Sequence, residues 1–286
     1  MGFSVNTNTG ALAALQNLTS TNRGLDTTQS RINTGLAVSS TKDDSAKYTI
    51  AQKLRGDVGG LTAVTSSLNR AKSTTDVAVA GAEQISDLLN QMKTKVTEAS
   101  DAGLDQDSRN AIAADLTSLK KQVNSIIDSS EFNGVNLLKA PASGATGAST
   151  VSALMGTKST STTGVISVAN QALDTAAATG FGAATADVTL ANAAAADTLK
   201  GTIDTFATVV STTLKNLGSA SRQIDGQLSF TSKLSDVIEG GIGNLVDADL
   251  AKESAKLQAL QVKQQLGLQA LSIANQAPQS IMSLFR

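Results

Sequence analysis

From about residue 54 to residue 99 the chain repeats every seven residues. Leu61, Leu68, Thr75, Ala82, Leu89 and Val96 hold one position; Val64, Ala71, Ala78, Ile85, Met92 and Ala99 hold the position three residues on. Thr75 alone breaks the stripe. A proline-free pattern of this length predicts one amphipathic helix of about 60 Å, at 1.5 Å per residue, which needs a partner of similar length. It stops at Asp101-Ala102-Gly103, and either Asp105 or Asp107 can cap a second helix carrying Ile112, Leu116, Leu119, Val123, Ile126 and Ile127. The two fold back as an antiparallel hairpin. Glu131-Phe132-Asn133-Gly134-Val135-Asn136-Leu137-Leu138 follows, with Asn-Gly as a tight-turn signal, and Pro141 closes the segment.

Residues 142–190 are rich in Ala, Gly, Ser and Thr and poor in core formers, which predicts a small loop-rich module with short strands at Gly164–Val168 and Val188–Leu190. From about 192 the helical period returns through Leu199, Ile203, Phe206, Val210, Leu214, Leu217, Ile224, Leu228, Leu234 and Ile238. It is expected to end at Gly240-Gly241-Ile242-Gly243. A last helix is expected from about Val246 to Pro278, with Leu250, Leu257, Leu260, Leu268 and Leu271 on its stripe and Glu253, Gln264 and Gly267 interrupting it.

The first thirty-five residues mirror that last helix: Ala11, Leu18, Leu25 and Ile32 recur every seven, beside Leu15, Asn22, Gln29 and Leu36. The expected fold is therefore mainly α. Long antiparallel helical hairpins and coiled coils have their N- and C-termini paired, with a small loop- and β-rich insertion in mid-chain. The expected segments are a terminal helix (1–40), a helical core (41–141), the insertion (142–190), the rest of the core (191–240) and the second terminal helix (241–286). A lone helix pair buries little surface, so the ends should stay labile until further copies surround them. That points to assembly rather than catalysis.

Composition sharpens this. The 286 residues include no Cys, His or Trp, one Tyr and two Pro, with 41% hydrophobic but 2% aromatic residues. Zinc sites of the Cys/His type, disulfides, thiol nucleophiles and imidazole triads are excluded. With 23 basic and 24 acidic residues and a formal charge of −1, nothing resembles a phosphate-tracking surface, so no nucleic-acid partner is expected. No run suits a membrane span, and the start MGFSVNTNTG lacks the features of a cleaved signal peptide and, with Asn6, the myristoylation pattern. No catalytic, metal-binding or cofactor-binding residue is expected.

Three stretches carry a family likeness. They are Arg31-Ile32-Asn33-Thr34-Gly35-Leu36 with Ser39-Ser40-Thr41-Lys42-Asp43-Asp44; Glu131 to Leu138; and Asp247-Ala248-Asp249-Leu250-Ala251-Lys252-Glu253-Ser254 with Ala274-Asn275-Gln276-Ala277-Pro278-Gln279 and Leu284-Phe285-Arg286. In this order, at both termini, they resemble a bacterial flagellin, here a short form with a reduced outer module. The resemblance implies an extracellular subunit of the flagellar filament whose terminal helices form the inner tube. It implies polymerisation with itself, with sister flagellins in the same filament an open alternative, unfolded export through the flagellar type III apparatus, growth beneath a filament cap, and an export chaperone on the C-terminal helix. The residues expected to pack subunits are Leu15, Leu18, Leu25, Ile32, Leu250, Leu257, Leu260, Leu271, Ile281, Leu284 and Phe285; those expected on the core seam are Leu61, Leu68, Ile85, Leu89, Met92, Val96, Ile112 and Leu116. The hook–filament junction protein shares the terminal plan but diverges in these motifs. A signalling coiled coil of the chemoreceptor kind would need a membrane anchor and a tip motif, and neither is found.

One departure bears on recognition by animals. Where flagellins sensed by the animal surface receptor present an Arg, a Leu and a Glu, alignment from Phe132-Asn133-Gly134 puts Gln91, Lys95 and Asp115. A Lys in place of an apolar contact is expected to weaken docking.

Other candidates have plainer readings. Lys42-Asp43-Asp44 reads as a helix cap and loop tie rather than a metal or acid/base site. The glycines at 240–243 match a calcium repeat poorly, with Leu245 where Asp is required, and Asp247 and Asp249 lack the other EF-hand ligands. Asn22, Gln29 and Gln264 read either as register-setting amides or as part of a polar filament bore. Ser and Thr within 143–163 are either glycan acceptors or a bare solvated loop.

Overall fold

The computed structural model describes residues 7–141, 150–158, 163–184 and 186–284, with side chains described as far as residue 276. In chain order the elements are α1 (Thr9–Thr34), α2 (Ser45–Ala99), α3 (Gln106–Ser129), β1 (Glu131–Phe132), β2 (Val135–Asn136), β3 (Thr150–Leu154), β4 (Val165–Ala169), α4 (Leu173–Phe181), α5 (Ala193–Val246) and α6 (Leu250–Leu284). They divide into two compact units, Met1–Val58 with Asp236–Arg286, and Gly59–Ser235.

In the second unit both heptad positions of α2 are buried throughout, and so are Ile112 and Leu116 of α3. All eight expected core-seam residues, Leu61, Leu68, Ile85, Leu89, Met92, Val96, Ile112 and Leu116, are therefore interior. Thr75 is also fully buried, and its hydroxyl donates to the Ala71 carbonyl at 2.8 Å, which removes the cost of a polar group in the stripe. Ion pairs mark the helix order. Lys72 meets Asp225 and Lys93 meets Asp204, each at 2.6 Å, so α2 and α5 run antiparallel with the same number of residues between the pairs on each helix. Lys95 meets Asp115 across α2 and α3 at 3.0 Å.

The α2–α3 turn resolves one open choice. Asp105 is the cap, accepting from Ser108 N at 3.0 Å, while Asp107 sits in the first turn, where its charge suits the helix dipole. Arg109 is buried and donates to Ala99 O (3.0 Å), a carbonyl the end of α2 leaves open, and to Asp101 O (2.7 Å) in the turn that follows. The Asn-Gly expectation holds. Asn133 (φ 51°) and Gly134 (φ 80°) make the turn that joins β1 to β2 antiparallel. Asn136 then ties the hairpin down, donating to Ile127 O at 2.6 Å and accepting from Leu138 N and Lys139 N.

The central insertion differs from its expected form. β4 covers the expected strand at 164–168, but its partner is β3, antiparallel from Thr150↔Ala169 to Leu154↔Val165. No strand forms at Val188–Leu190. That segment lies along α3 instead, with Val188 N donating to Thr117 Oγ1 (2.9 Å) and Gln106 Nε2 donating to Leu190 O (2.8 Å), so its backbone groups are taken by side chains rather than by a ladder. Ala153, Ile166, Val168, Leu173, Phe181 and Leu190 bury themselves in the same core cluster as the seams of α2, α3 and α5. Lys120 of α3 is buried beside them and donates to Phe181 O (2.7 Å) and Ala186 O (2.8 Å); burial holds its ammonium below the usual lysine range.

Two helix ends also differ. α5 does not stop at Gly240-Gly241-Ile242-Gly243 but runs to Val246. None of those glycines takes a positive φ, and glycine weakens a helix interior by about 1 kcal/mol without forbidding it. Ile242, Leu245 and Val246 pack against Val38 and Ala51, which favours continuing. α6 starts at Leu250 rather than Val246 and passes through Pro278 to Leu284. The late start follows from Asp249, whose Oδ1 accepts from Ala251 N and Lys252 N, each at 3.1 Å, and so caps the helix.

Candidate assembly site in the paired terminal helices

α1 and α6 both belong to the first unit and pack against each other along their length. Of the two stripes expected on α1, Ala11, Leu18, Leu25 and Ile32 face inward, whereas Leu15, Asn22 and Gln29 of the other are exposed. The seam runs through Ala11, Ala14, Leu18, Thr21, Gly24, Leu25, Thr28 and Ile32, shifted toward smaller side chains, which lets α6 approach closely. On α6 the inward residues are Glu253, Leu257, Leu260, Gln264, Gly267, Leu271 and Ala274.

The three residues that interrupt the α6 stripe each have a counterpart on α1. Glu253 Oε1 pairs with Arg31 Nη1 at 3.2 Å. Gln264 Nε2 donates to Asn22 Oδ1 at 2.9 Å. Gly267 faces Leu18, whose Cδ1 would stand 3.4 Å from an added Cβ, and Gly24 faces Leu260 at the same distance. Polar meets polar and glycine meets leucine, so one antiparallel register satisfies all four contacts. This supports the register-setting reading of Asn22 and Gln264; Gln29 takes no such place.

Beyond the helix ends the family motifs meet. Leu36 forms a β-bridge with Asp247, Ala37 N donates to Val246 O at 2.7 Å, and Ala248 N donates to Gly35 O at 2.8 Å, where Gly35 has φ 72°. Val38, Ala51 and Val246 form a small core there, with Leu36, Tyr48, Ile242 and Leu245 packed on it. Asp43 and Asp44 take the structural roles expected of them. Asp43 Oδ2 accepts from the hydroxyls and N–H groups of Ser39 and Ser40 at 3.0–3.1 Å, which holds its carboxyl below the usual range, the Ser39 hydroxyl contributing most. Asp44 Oδ1 caps α2 through Ala46 N and Lys47 N.

The seam is shallow. Leu18, Leu25, Ile32, Leu257, Leu260 and Leu271 are only half-buried, and Leu15 and Leu250 are each 50% exposed. Leu12, Val262, Leu266, Leu268 and Ile273 are exposed as well, at 54–69%. Thr28 Oγ1, Arg31 Nε and Glu253 Oε2 are buried without a hydrogen-bond partner among the described residues. The side chains of Ile281 and Leu284, and all of Phe285, lie outside the described residues. Gly24, Arg109 and Lys120 were not anticipated. A lone glycine inside the α1 period was the available signal for the first; a buried Arg or Lys on a helix face carries none.

Paired terminal helices, a clasp at their base and a core of aliphatic helix seams make this a long-helix protein, and among the described residues no group of three or more Asp or Glu is placed to hold a metal. Residues 5–143 match the bacterial flagellin N-terminal helical region and residues 201–285 the bacterial flagellin C-terminal helical region. The chain is 46% identical over 283 residues to flagellin FljM of Caulobacter vibrioides, covering 99% of this chain and 98% of that one. Flagellin FljK of the same strain is 46% identical over 284 residues, with the same coverage, and a flagellin of Brucella melitensis is 38% identical over 291, covering 99% of each. A crystal structure of Bacillus cereus flagellin aligns at 16% identity with a TM-score of 0.34, over 66% of this chain and 93% of that one. The chain belongs to the bacterial flagellins. It is a structural subunit that polymerises into the extracellular flagellar filament that drives swimming.

Proposed function

We propose that α1 and α6 are the elements through which subunits of this flagellin pack, and that the chain does no catalysis. The observation that carries this reading is the apolar surface the pair leaves in water. Leu12, Leu15, Leu250, Val262, Leu266 and Ile273 are each at least half exposed, on two helices whose mutual seam is itself only half-buried. Side chains of this size gain about 1.5–3 kcal/mol each on full burial, which neighbouring copies would supply. The absence of Cys and His from the sequence supports the non-enzymatic part.

The family likeness supports the remaining steps. The chain is exported unfolded through the flagellar type III channel, it polymerises beneath a cap, and a cytoplasmic chaperone holds α6 until export. A disulfide-free chain with few aromatics is easy to keep unfolded for that passage.

The test is a purified Val262→Asp/Ile273→Asp variant. Both side chains are exposed, so the subunit is expected to keep its helix content by circular dichroism while losing polymerisation by sedimentation and electron microscopy. Filaments forming at the wild-type concentration would overturn the packing assignment.

A further inference from the structure

Pro278 stands inside α6 without ending it. A proline has no N–H, so the carbonyl four residues earlier, that of Ala274, has no donor within the helix. The donor comes from the other end of the chain: Asn8 Nδ2 donates to Ala274 O at 2.7 Å. The other end of the same amide, Oδ1, accepts from Ala11 N at 3.0 Å and caps α1. The amide orientation is set by its surroundings, because a backbone N–H faces one end and a carbonyl the other.

We infer that Asn8 and Pro278 act as a pair: the proline leaves the Ala274 carbonyl without its i+4 donor, Asn8 closes it, and the first turn of α1 and the last turns of α6 therefore order together in one register. This deepens the reading of the terminal helices as packing elements and rests on it. Interior carbonyls of α6 other than that of Ala274 accept from the backbone four residues on. Were α1 displaced by a turn, Asn8 would meet a carbonyl already in use and Ala274 would lose its donor. The leucine–glycine contacts set how closely the helices approach, and the amide adds a preference for one alignment. Asn8 is a positioning residue for assembly.

The test is a double-mutant cycle on the full chain, reading the critical concentration for polymerisation. Asn8→Ser keeps a capping oxygen but is too short to cap α1 and reach Ala274 together. It is expected to raise the critical concentration about 3–10-fold, the range for one net hydrogen bond. Pro278→Ala restores the missing N–H, so in that background Asn8→Ser is expected to change it by less than about twofold. Asn8→Asp, which keeps shape and cap but removes the donor, should show the same coupling to Pro278. Equal effects of Asn8→Ser in both backgrounds would overturn the pairing and leave Asn8 a simple cap. Leu18→Asp separates the two levels. If it abolishes polymerisation while the coupling is absent, this inference alone fails; if it leaves polymerisation unchanged, the packing reading fails with it.

Discussion

Lys95 Nζ lies 3.0 Å from Asp115 Oδ2, joining α2 to its return helix α3. The hydrogen bond to Asp115 raises the lysine's pKa, so the ammonium is charged at any physiological pH. In flagellins sensed by the animal receptor this position is apolar, with an Arg and a Glu where Gln91 and Asp115 stand here. A receptor docking on this face must cover or break the pair, and covering charges without new partners is costly. Losing one hot-spot contact of about 2 kcal/mol weakens binding about 30-fold. Reporter cells are therefore expected to need at least that excess of this flagellin, and Gln91→Arg/Lys95→Leu/Asp115→Glu is expected to recover most of the response. A strong response to the native chain at low concentration would refute the assignment.

Leu89 is 2% exposed in the α2 stripe. Leu89→Asp exchanges its packing for a buried carboxylate with no partner. The loss is expected to be at least about 3 kcal/mol, enough to lower the unfolding midpoint markedly. Unchanged thermal unfolding of the variant would show that Leu89 is not interior.

The long helices were legible because their period is sustained. Leu61 to Val96 and Val64 to Ala99 leave no other way to bury a stripe, and even Thr75 keeps its place through a bond to its own helix. The terminal seam was less legible. Leu15 looks like a better seam residue than Ala14 or Thr21, yet close approach through Gly24 and Gly267 favours the small ones. Glycine and proline punctuation does not by itself set the helix ends. Glycines 240–243 and Pro278 are tolerated because a distant partner compensates, the Val38 and Ala51 cluster in one case and Asn8 in the other. Strand β3 lies next to residues of little pattern, and the side chains that claim 188–190 sit on α3, far away in sequence.

Acid should loosen the clasp. Asp43 and Asp105 have pKa values lowered from 3.8 by hydrogen bonds to Ser39 and Ser40 and to Ser108. A depressed carboxylate pKa gives stability that is present above the unfolded value and lost as pH falls through the folded one. As the pH falls below the ordinary carboxylate value of 3.8 and through the lower folded value of Asp43, the 39–44 connection is expected to open. The single tyrosine, Tyr48, packs on the clasp core, so its fluorescence reports the change. In Asp43→Asn the titration should disappear from that signal; its persistence would assign the acid step elsewhere.

Removing residues 279–286 tests the end of α6, whose helix continues to Leu284. The deletion takes away Ile281, Leu284 and Phe285 while leaving the Glu253, Gln264 and Gly267 contacts to α1 in place. The truncated chain is expected to be a helical monomer that fails to polymerise at any accessible concentration. Normal filaments from it would show that packing needs nothing beyond Pro278.

Gly81 marks where the hairpin after α3 meets α2. A Cβ there would overlap Ser130 Oγ and stand 3.0 Å from Leu138 Cδ1. Alanine would favour the helix by about 1 kcal/mol, but it would wedge the hairpin off a helix whose neighbouring positions Ala78, Ala82 and Ile85 are all fully buried. Overpacking of this kind costs about 1–3 kcal/mol, and Leu138 has no exposed side to yield toward, being fully buried itself. Gly81→Ala is therefore expected to lower stability by about 1–2 kcal/mol net in urea unfolding. Ser130→Ala in the same chain should recover part of that loss, because it removes the nearer obstruction; a stabilised Gly81→Ala protein would mean that the hairpin moves freely over α2.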